Sequence, residues 1–456
     1  MPPAIATSVL ETIGNTPMLR VSRIDTGPCE LFLKLENQNP GGSIKDRIAL
    51  SIIQEAERDG RLKPGGTLVE ATAGNTGLGL ALVGRAKGYP VVLVVPDKMA
   101  EEKVLQLRAL GAEIHLTRSD VGKDHPDYYQ NVAARLAASV PGAFYTDQFT
   151  NPANPKAHEE TTGPEILAQM GGNLDAVVCG VGSGGTLAGL THCFRGRSLP
   201  VAMVLADPEG SVLAPWIREG HVPEAGSWAV EGIGEDYLPP QADFGLVSRA
   251  YAIGDQESFQ AARLLLEAEG ILAGSSTGTL LAAALRYCRE QTTPKRVVTF
   301  VCDTGTRYLS KVYSPVWMRR RGWDGAERFG DLRDFAVRRF QDGTAPMTVA
   351  EDLGLAVLKR FEATGLPSLP VFQGMEPIGM IESTRFLLSI NSDPKALTRR
   401  AEHLVAPEVP MLDSGRDFKA LVNLLEHSPI ALLTHQGQPF GLIAPLDLAI
   451  HPKENR

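Results

Sequence analysis

The stretch Ala176-Val177-Val178-Cys179-Gly180-Val181-Gly182-Ser183-Gly184-Gly185-Thr186 decides the fold. A continuous apolar run enters a turn dense in glycine, and a helical pattern follows. That is a buried strand feeding a glycine loop that opens a helix. Unbroken apolarity marks a parallel strand covered on both faces. The alternation continues to either side. Leu31–Leu35, Thr67–Glu70, Val91–Val95, Glu113–Leu116, Val201–Leu205 and Val297–Val301 predict further strands. Between them, Asp46–Asp59, Met99–Leu110, Tyr128–Ala138 and Ser258–Glu269 predict amphipathic helices. Strands alternating with helices require crossover connections, hence an α/β fold with mostly parallel sheets flanked by helices.

At 456 residues the chain is too long for one core, and two or three domains are expected. A net charge of -8 argues against a general nucleic-acid or membrane surface, which would need clustered Lys and Arg. The cluster Arg319-Arg320-Arg321 is too small for such a footprint and reads as a solvated turn. The cysteines (Cys29, Cys179, Cys193, Cys288 and Cys302) are odd in number, widely spaced and without a C-x-x-C pair. Neither a disulfide framework nor a zinc site is expected, and no other metal. No basic residue precedes Arg20, and the longest apolar run, Val91–Val95, is far too short to span a bilayer. A reducing cytoplasm is the expected compartment.

After Tyr313 the pattern changes. Trp317–Asp334, rich in charge and glycine, reads as a linker that partly packs. Beyond it lies an internal repeat. Leu369-Pro370-Val371-Phe372, Gly374 and Pro377-Ile378-Gly379-Met380-Ile381 are echoed by Ala431-Leu432-Leu433, Gly437 and Pro439-Phe440-Gly441-Leu442-Ile443. Each copy follows an amphipathic helix, Glu351–Ala363 or Asp417–Glu426. Two copies of one small α/β unit are expected, since neither could bury its sheet face alone.

Four glycine-rich segments carry the chemistry, each where a strand ends or a helix begins, the place where open parallel sheets bind ligands. In Gly41-Gly42-Ser43-Ile44-Lys45-Asp46-Arg47 a lysine stands in the first turn of a helix. The dipole there disfavours an ammonium, which lowers the lysine's pKa and suits imine formation. Ala71-Thr72-Ala73-Gly74-Asn75-Thr76-Gly77 offers bare amides and hydroxyls at a helix start, a cradle for a carboxylate. Gly180–Thr186 wraps a phosphate monoester. A dinucleotide fits less well: Gly180, Gly182 and Gly185 match the fingerprint spacing, but no acidic residue about 20 positions on closes a second strand, Asp207 being followed by Pro208. Gly274-Ser275-Ser276-Thr277-Gly278 presents hydroxyls at another helix start.

Together the four segments resemble the β-family, or fold type II, of pyridoxal-phosphate enzymes, over roughly residues 8–315. Within it the chain is most similar to the cystathionine beta-synthase family. Asn15-Thr16-Pro17, Asp147-Gln148-Phe149, His158-Glu159, Asp207-Pro208-Glu209-Gly210-Ser211 and Glu231-Gly232-Ile233-Gly234-Glu235-Asp236 carry that likeness. The last two separate it from cysteine synthase. The resemblance implies a fold type II core with two subdomains at 1–316, a linker at 317–335 and tandem CBS (Bateman) regulatory modules at 336–456. It implies Lys45 as Schiff-base lysine, Asn75 on the ring hydroxyl of the cofactor, Gly182, Ser183, Gly184, Gly185 and Thr186 on its phosphate, and Ser276 facing its pyridine nitrogen. Thr72, Ala73, Gly74, Thr76 and Gln148 would line the substrate carboxylate. The implied reaction is β-replacement of serine by homocysteine, with hydrogen sulfide released when cysteine is the first substrate. Cysteine synthase chemistry on O-acetylserine and sulfide is the alternative. Small-molecule amino acids and thiols are the expected partners, in a homodimer or higher homo-oligomer.

Departures from the family pattern are Ala73 in place of serine, and Phe149 and Glu235 in place of tyrosines. No haem is expected, because animal members hold it on an N-terminal extension and this chain begins close to the core. His158 is expected to be a structural hydrogen-bonding residue. In the modules, Glu382 and Arg385 occupy the ribose-binding positions of the first copy. Asp447 is kept in the second, with Ala444 replacing a hydroxyl. Activation by S-adenosylmethionine is therefore not expected.

Overall fold

The computed structural model describes residues 5–449 apart from Ala73, Lys98, Ala100, Lys123 and Glu327. The chain forms two compact units that meet between Leu309 and Ser310.

The first unit holds two sheets. One has six strands in the order Met18–Arg20, Glu30–Lys34, Arg296–Phe300, Ala176–Cys179, Ala202–Pro208, Val247–Ile253. Only its first pair is antiparallel. The other has four parallel strands in the order Glu113–Thr117, Val91–Pro96, Thr67–Ala71, Ala143–Tyr145. The α/β class with mostly parallel sheets read from the sequence is therefore the observed one. Val91–Pro96 is buried along its whole length, as a strand with helices on both faces must be. Its neighbour Glu113–Thr117 lies at the sheet edge and has no fully buried position.

Helix Lys45–Arg58 illustrates the periodicity. Ile48, Ile52 and Ala56, with Ala49 and Ile53, form one buried stripe. The stripe shares a core with Leu68, Leu80, Val83 and Leu93 of the four-stranded sheet and helix Asn75–Lys87. Burying each such isoleucine contributes about 1.5–3 kcal/mol. The expected helix Met99–Leu110 is Glu101–Ala109, and Ser258–Glu269 begins slightly earlier, at Asp255.

The second unit bears out the repeat strand for strand. Thr348–Val349, helix Gly354–Thr364, Ser368–Gln373, Glu376–Glu382 and helix Ser383–Ser392 recur as Met411–Asp413, helix Phe418–His427, Ala431–His435, Gln438–Ile443 and helix Pro445–Ala449. In each copy the first strand pairs parallel to the second, and the second antiparallel to the third. Leu369 faces Ile381 and Val371 faces Gly379; equivalently Ala431 faces Ile443 and Leu433 faces Gly441. Both hairpins break register at the next residue. The repeated glycine has a physical cause. A Cβ on Gly379 would lie 2.5 Å from the Ala406 carbonyl, and one on Gly441 2.3 Å from the Arg338 carbonyl. A third backbone crosses each hairpin there, so only glycine fits. The segment Trp317–Asp334 packs by its first helix, Pro315–Arg320: Arg319 donates to the Val337 carbonyl at 2.9 Å and to Thr344 Oγ1 at 3.0 Å.

Among the described residues no helix is long and apolar enough to cross a membrane. All five cysteines are free.

Candidate active site

Strand Arg296–Phe300 leads into residues 302–304, which join two of the four glycine-rich segments. On one side Ile44 N–H donates to the Cys302 carbonyl at 2.9 Å and Thr304 N–H to the Gly42 carbonyl at 3.0 Å. On the other side Gly274 N–H donates to the Asp303 carbonyl at 3.1 Å, and Thr277 Oγ1 accepts from Cys302 N–H at 3.1 Å. The lysine turn and the serine turn thus flank one strand end. Ser276 is buried there.

The remaining two segments meet through Gln148. Its Oε1 accepts from Thr76 Oγ1 at 2.6 Å. Its carbonyl accepts from the Asn154 amide at 2.8 Å and the Gln241 amide at 2.7 Å. Those same two amides donate to Ser183 Oγ at 2.9 Å and to the Ser183 carbonyl at 2.8 Å. Asn75 closes the circle by donating to Asp303 Oδ2 at 2.8 Å. The four segments predicted to act together are therefore brought together at the carboxyl ends of strands from both sheets.

Lys45 is the first residue of its helix and is half-buried. Its amine is held below the usual lysine range chiefly by burial, while nearby Cys302, Asp303 and Glu36 pull the other way. Desolvation is the main cause, and a place in the first turn of a helix disfavours the ammonium in the same direction. The helix start is anchored by Arg47. Its guanidinium grips buried Glu36 at 2.7 and 2.8 Å and Glu165 at 2.7 and 2.8 Å. Thr16 of the Asn15-Thr16-Pro17 stretch donates to the same Glu36 at 2.7 Å.

Gly184 has φ +88 and is the N-cap of helix Gly185–Gly196. That left-handed conformation favours glycine, and it turns consecutive N–H groups outward at the positive end of a 12-residue helix. Thr186 Oγ1 lies 3.2 Å from His158 Nε2, and His158 Nδ1 lies 3.0 Å from Thr162 Oγ1. His158 opens a π-helical turn, His158–Thr162. Burial, with the charges of Arg47 and Lys45, keeps its imidazole neutral, well below its ordinary pKa. It is a hydrogen-bonding residue of the loop.

In the second segment Thr72 is buried and its Oγ1 accepts from Gly74 N–H at 3.1 Å. Gly74 is the N-cap of helix Asn75–Lys87. Ala73 lies outside the described residues. Beneath the segment sits Glu70, fully buried, accepting from Ala71 N–H at 2.9 Å, Gln148 N–H at 3.1 Å and the Thr146 hydroxyl. Burial pushes its carboxyl up to about 8.

Several site residues escaped the sequence reading: Asn154, Gln241, Asp303 and Arg307. Asn154 lies in the five-residue helix Ala153–Ala157 and Gln241 in a loop, both too short of pattern for a periodic signal. Asp303 had one, since it follows the predicted strand Val297–Val301 at its ligand-binding end.

The residues present fit pyridoxal phosphate. A desolvated amine, a glycine-built anion cradle and a second set of amides and hydroxyls for a carboxylate stand around one cluster of strand ends. Asp303 Oδ1 adds a buried oxygen with no hydrogen-bond partner among the described residues. Comparison with known proteins agrees. The family described as pyridoxal-phosphate dependent enzyme matches residues 9–303. A cystathionine beta-synthase of Oryctolagus cuniculus is 35% identical over 447 residues, 96% of this chain and 81% of the relative. Cysteine synthase 1 of Emericella nidulans is 43% identical over 319 residues, 68% of this chain and 86% of that protein. The crystal structure of an O-acetylserine dependent cystathionine beta-synthase from Helicobacter pylori superposes with a TM-score of 0.62 at 35% identity, covering 68% of this chain and 99% of that one. Built around a desolvated lysine amine and a glycine loop at a helix start, the chain belongs to the pyridoxal-phosphate dependent enzymes of the cystathionine beta-synthase and cysteine synthase family.

Proposed function

We propose that the chain condenses L-serine with L-homocysteine to L-cystathionine, with Lys45 as the residue that carries the cofactor. Bound pyridoxal phosphate supplies an electron sink that acidifies the Cα proton of an attached amino acid. Everything else is done by side chains and backbone of this chain. Backbone N–H groups of Gly182–Thr186 would hold the phosphate. Thr72, Gly74, Thr76 and Gln148 orient the substrate carboxylate, with Thr76 and Gln148 already fixed against each other. Asn75 donates to the ring hydroxyl, and Ser276 offers a neutral hydroxyl to the ring nitrogen. A neutral partner there leaves more charge on Cα, which favours expulsion of a β-substituent. The Lys45 amine would take the Cα proton at Nζ and return a proton to the departing hydroxyl. Its depressed basicity suits both transfers.

One observation carries the choice of thiol. The two stretches that set the sequence apart from cysteine synthase pack against each other at the glycine loop. Ser211 Oγ accepts from Glu235 N–H at 3.0 Å and donates to the Glu235 carbonyl at 3.1 Å. The Gly232 carbonyl comes so near Gly182 that a Cβ there would lie 2.8 Å from it. On this reading the wall is the face that the second substrate meets. Mass spectrometry of the product from serine plus homocysteine tests the reading, and cystathionine is the expected mass. The second reading, O-acetylserine plus sulfide giving cysteine, draws support from the likeness to cysteine synthase 1 and from Ala73, which removes a hydroxyl beside the substrate. Initial rates with sulfide well above those with homocysteine would favour it. Hydrogen sulfide release from cysteine follows from the first reading.

The same proposal assigns residues 1–316 to catalysis, 317–335 to a linker and 336–456 to a tandem CBS regulatory module. The module's one retained ribose-position aspartate, Asp447, is fully buried and paired with Arg320 at 2.7 Å and Arg338 at 2.9 Å. An aspartate so engaged is a poor partner for a ribose, which accords with no activation by S-adenosylmethionine.

A further inference from the structure

We propose that Asp303 and Arg307 are positioning residues that set which atom of the Asn75 amide faces the cofactor. This rests on the assignment of Asn75 to the ring hydroxyl. An amide has two ends of nearly equal shape and opposite polarity, so its orientation is decided by its hydrogen-bond partners alone. Asn75 is held between two opposite charges. Its Nδ2 donates to Asp303 Oδ2 at 2.8 Å, and its Oδ1 accepts from Arg307 Nη1 at 2.7 Å. A reversed amide would set its oxygen against a carboxylate and its N–H groups against a guanidinium. The clamp therefore admits one orientation. In that orientation Nδ2 retains a second N–H for the ring oxygen.

Both clamping residues are themselves fixed. Asp303 is fully buried and its Oδ2 also accepts from the Tyr308 hydroxyl at 2.7 Å. Its backbone bridges to Ser43 of the lysine turn. Arg307 spends its other donors on Gln106 Oε1 at 3.0 Å and on the Gly41 carbonyl. Gln106 lies on helix Glu101–Ala109. The clamp therefore joins the lysine turn, the Asn75 helix start and a helix of the four-stranded sheet. Tyr308 is covered by Lys103 of that same helix, its ammonium 5.0 Å from the ring centroid. Released from the clamp, Asn75 can present oxygen instead of N–H to the ring oxygen, and lose the bond.

The test uses the reconstituted holoenzyme of wild type, Asn75→Ala, Asp303→Asn, Arg307→Lys and the double variants with Asn75→Ala. Two quantities are read: the ratio of the bound cofactor's long- and short-wavelength absorption bands, which responds to hydrogen bonding at the ring oxygen, and the cofactor dissociation constant of the apoprotein. Asn75→Ala should change the band ratio. Asp303→Asn should move it in the same direction and weaken cofactor binding about tenfold, the effect of one charge-assisted hydrogen bond. In the Asn75→Ala background, Asp303→Asn should change either quantity by less than about twofold, because its effect runs through the missing amide. An Asp303→Asn effect of undiminished size in that background would mean a general structural role and overturn the proposal. If Asp303→Asn lacks a cooperative melt, Arg307→Lys, which keeps the charge and loses the fork, decides through the same cycle. A shift on Asn75→Ala with none on Asp303→Asn or Arg307→Lys defeats the proposal alone. No shift on Asn75→Ala defeats the assignment of Asn75 as well.

Discussion

Two residues allow sharp expectations about chemistry and charge. Sodium borohydride reduces an imine to a stable secondary amine, so treatment of the holoenzyme should add the cofactor's mass to the peptide containing Lys45. Lys45→Ala should show no such adduct and should lose the activity by at least about a thousandfold, having neither covalent anchor nor proton carrier. An adduct on another lysine would end the assignment. Glu70 gives a pH prediction. Its carboxyl rises from an ordinary 4.5 to about 8, mainly through desolvation. Between those values the folded chain binds the proton and the unfolded chain does not, so stability falls as pH rises through the window. Glu70→Gln, uncharged throughout, removes this slope. Melting temperatures from pH 4.5 to 8 should therefore decline less steeply in the variant than in wild type. Asp46 and Asp207 shift in the same direction and remain in the variant, so part of the slope persists. A steeper decline in Glu70→Gln would contradict the burial argument.

Elements place the lysine as much as residues do. Helix Asn75–Lys87 crosses helix Lys45–Arg58 at Gly79, where an added Cβ would meet the Lys45 carbonyl at 3.0 Å and Ala49 Cβ at 3.1 Å. Gly79→Val should destabilise the fold by about 1–3 kcal/mol through overpacking, read as a lower urea midpoint. Because the displaced neighbour is the lysine turn, cofactor should also dialyse away faster. A normal midpoint with normal retention would show that the crossing has slack. Secondary elements were legible wherever one periodicity dominated. Ala176–Cys179 came out with its observed bounds, since four buried apolar residues admit no other reading. Three strands of the first unit were missed for definable reasons. Met18–Arg20 and Ala143–Tyr145 are too short for a pattern. Val247–Ile253 is an edge strand whose Ser248 and Arg249 face solvent, which dilutes its apolar signal.

At the scale of the molecule, the second unit raises the question of regulation. Asp447 lies buried between two arginines, Arg320 from the segment read as linker and Arg338 from the two-residue strand Arg338–Arg339, which pairs with Gln438–Ile443. Breaking such a pair leaves charges uncompensated. Asp447→Asn should cost the full-length protein about 3–5 kcal/mol, seen as a lower transition in calorimetry. A change under about 0.5 kcal/mol would place the residue among ordinary surface substitutions. With the aspartate so held, saturating S-adenosylmethionine should shift neither melting temperature nor rate. A clear stabilisation would reveal binding that the ion pairs do not prevent.

By itself the sequence determined what depends on short-range pattern. It defined the parallel α/β class from unbroken strands, the duplicated C-terminal unit from a recurring hairpin pattern, and four glycine-rich turns from residues that only turns and helix starts require. These are local properties, written in periodicity and backbone conformational preference. Only the tertiary structure decided how the turns are joined. Gln148 meets Thr76 across 72 positions, and Asn75 meets Asp303 across 228. Such contacts leave no periodic trace, because a crossover fold brings strand ends together from distant parts of the chain. The cause of the lysine's low basicity was likewise tertiary, since desolvation depends on what surrounds a side chain and not on what precedes it.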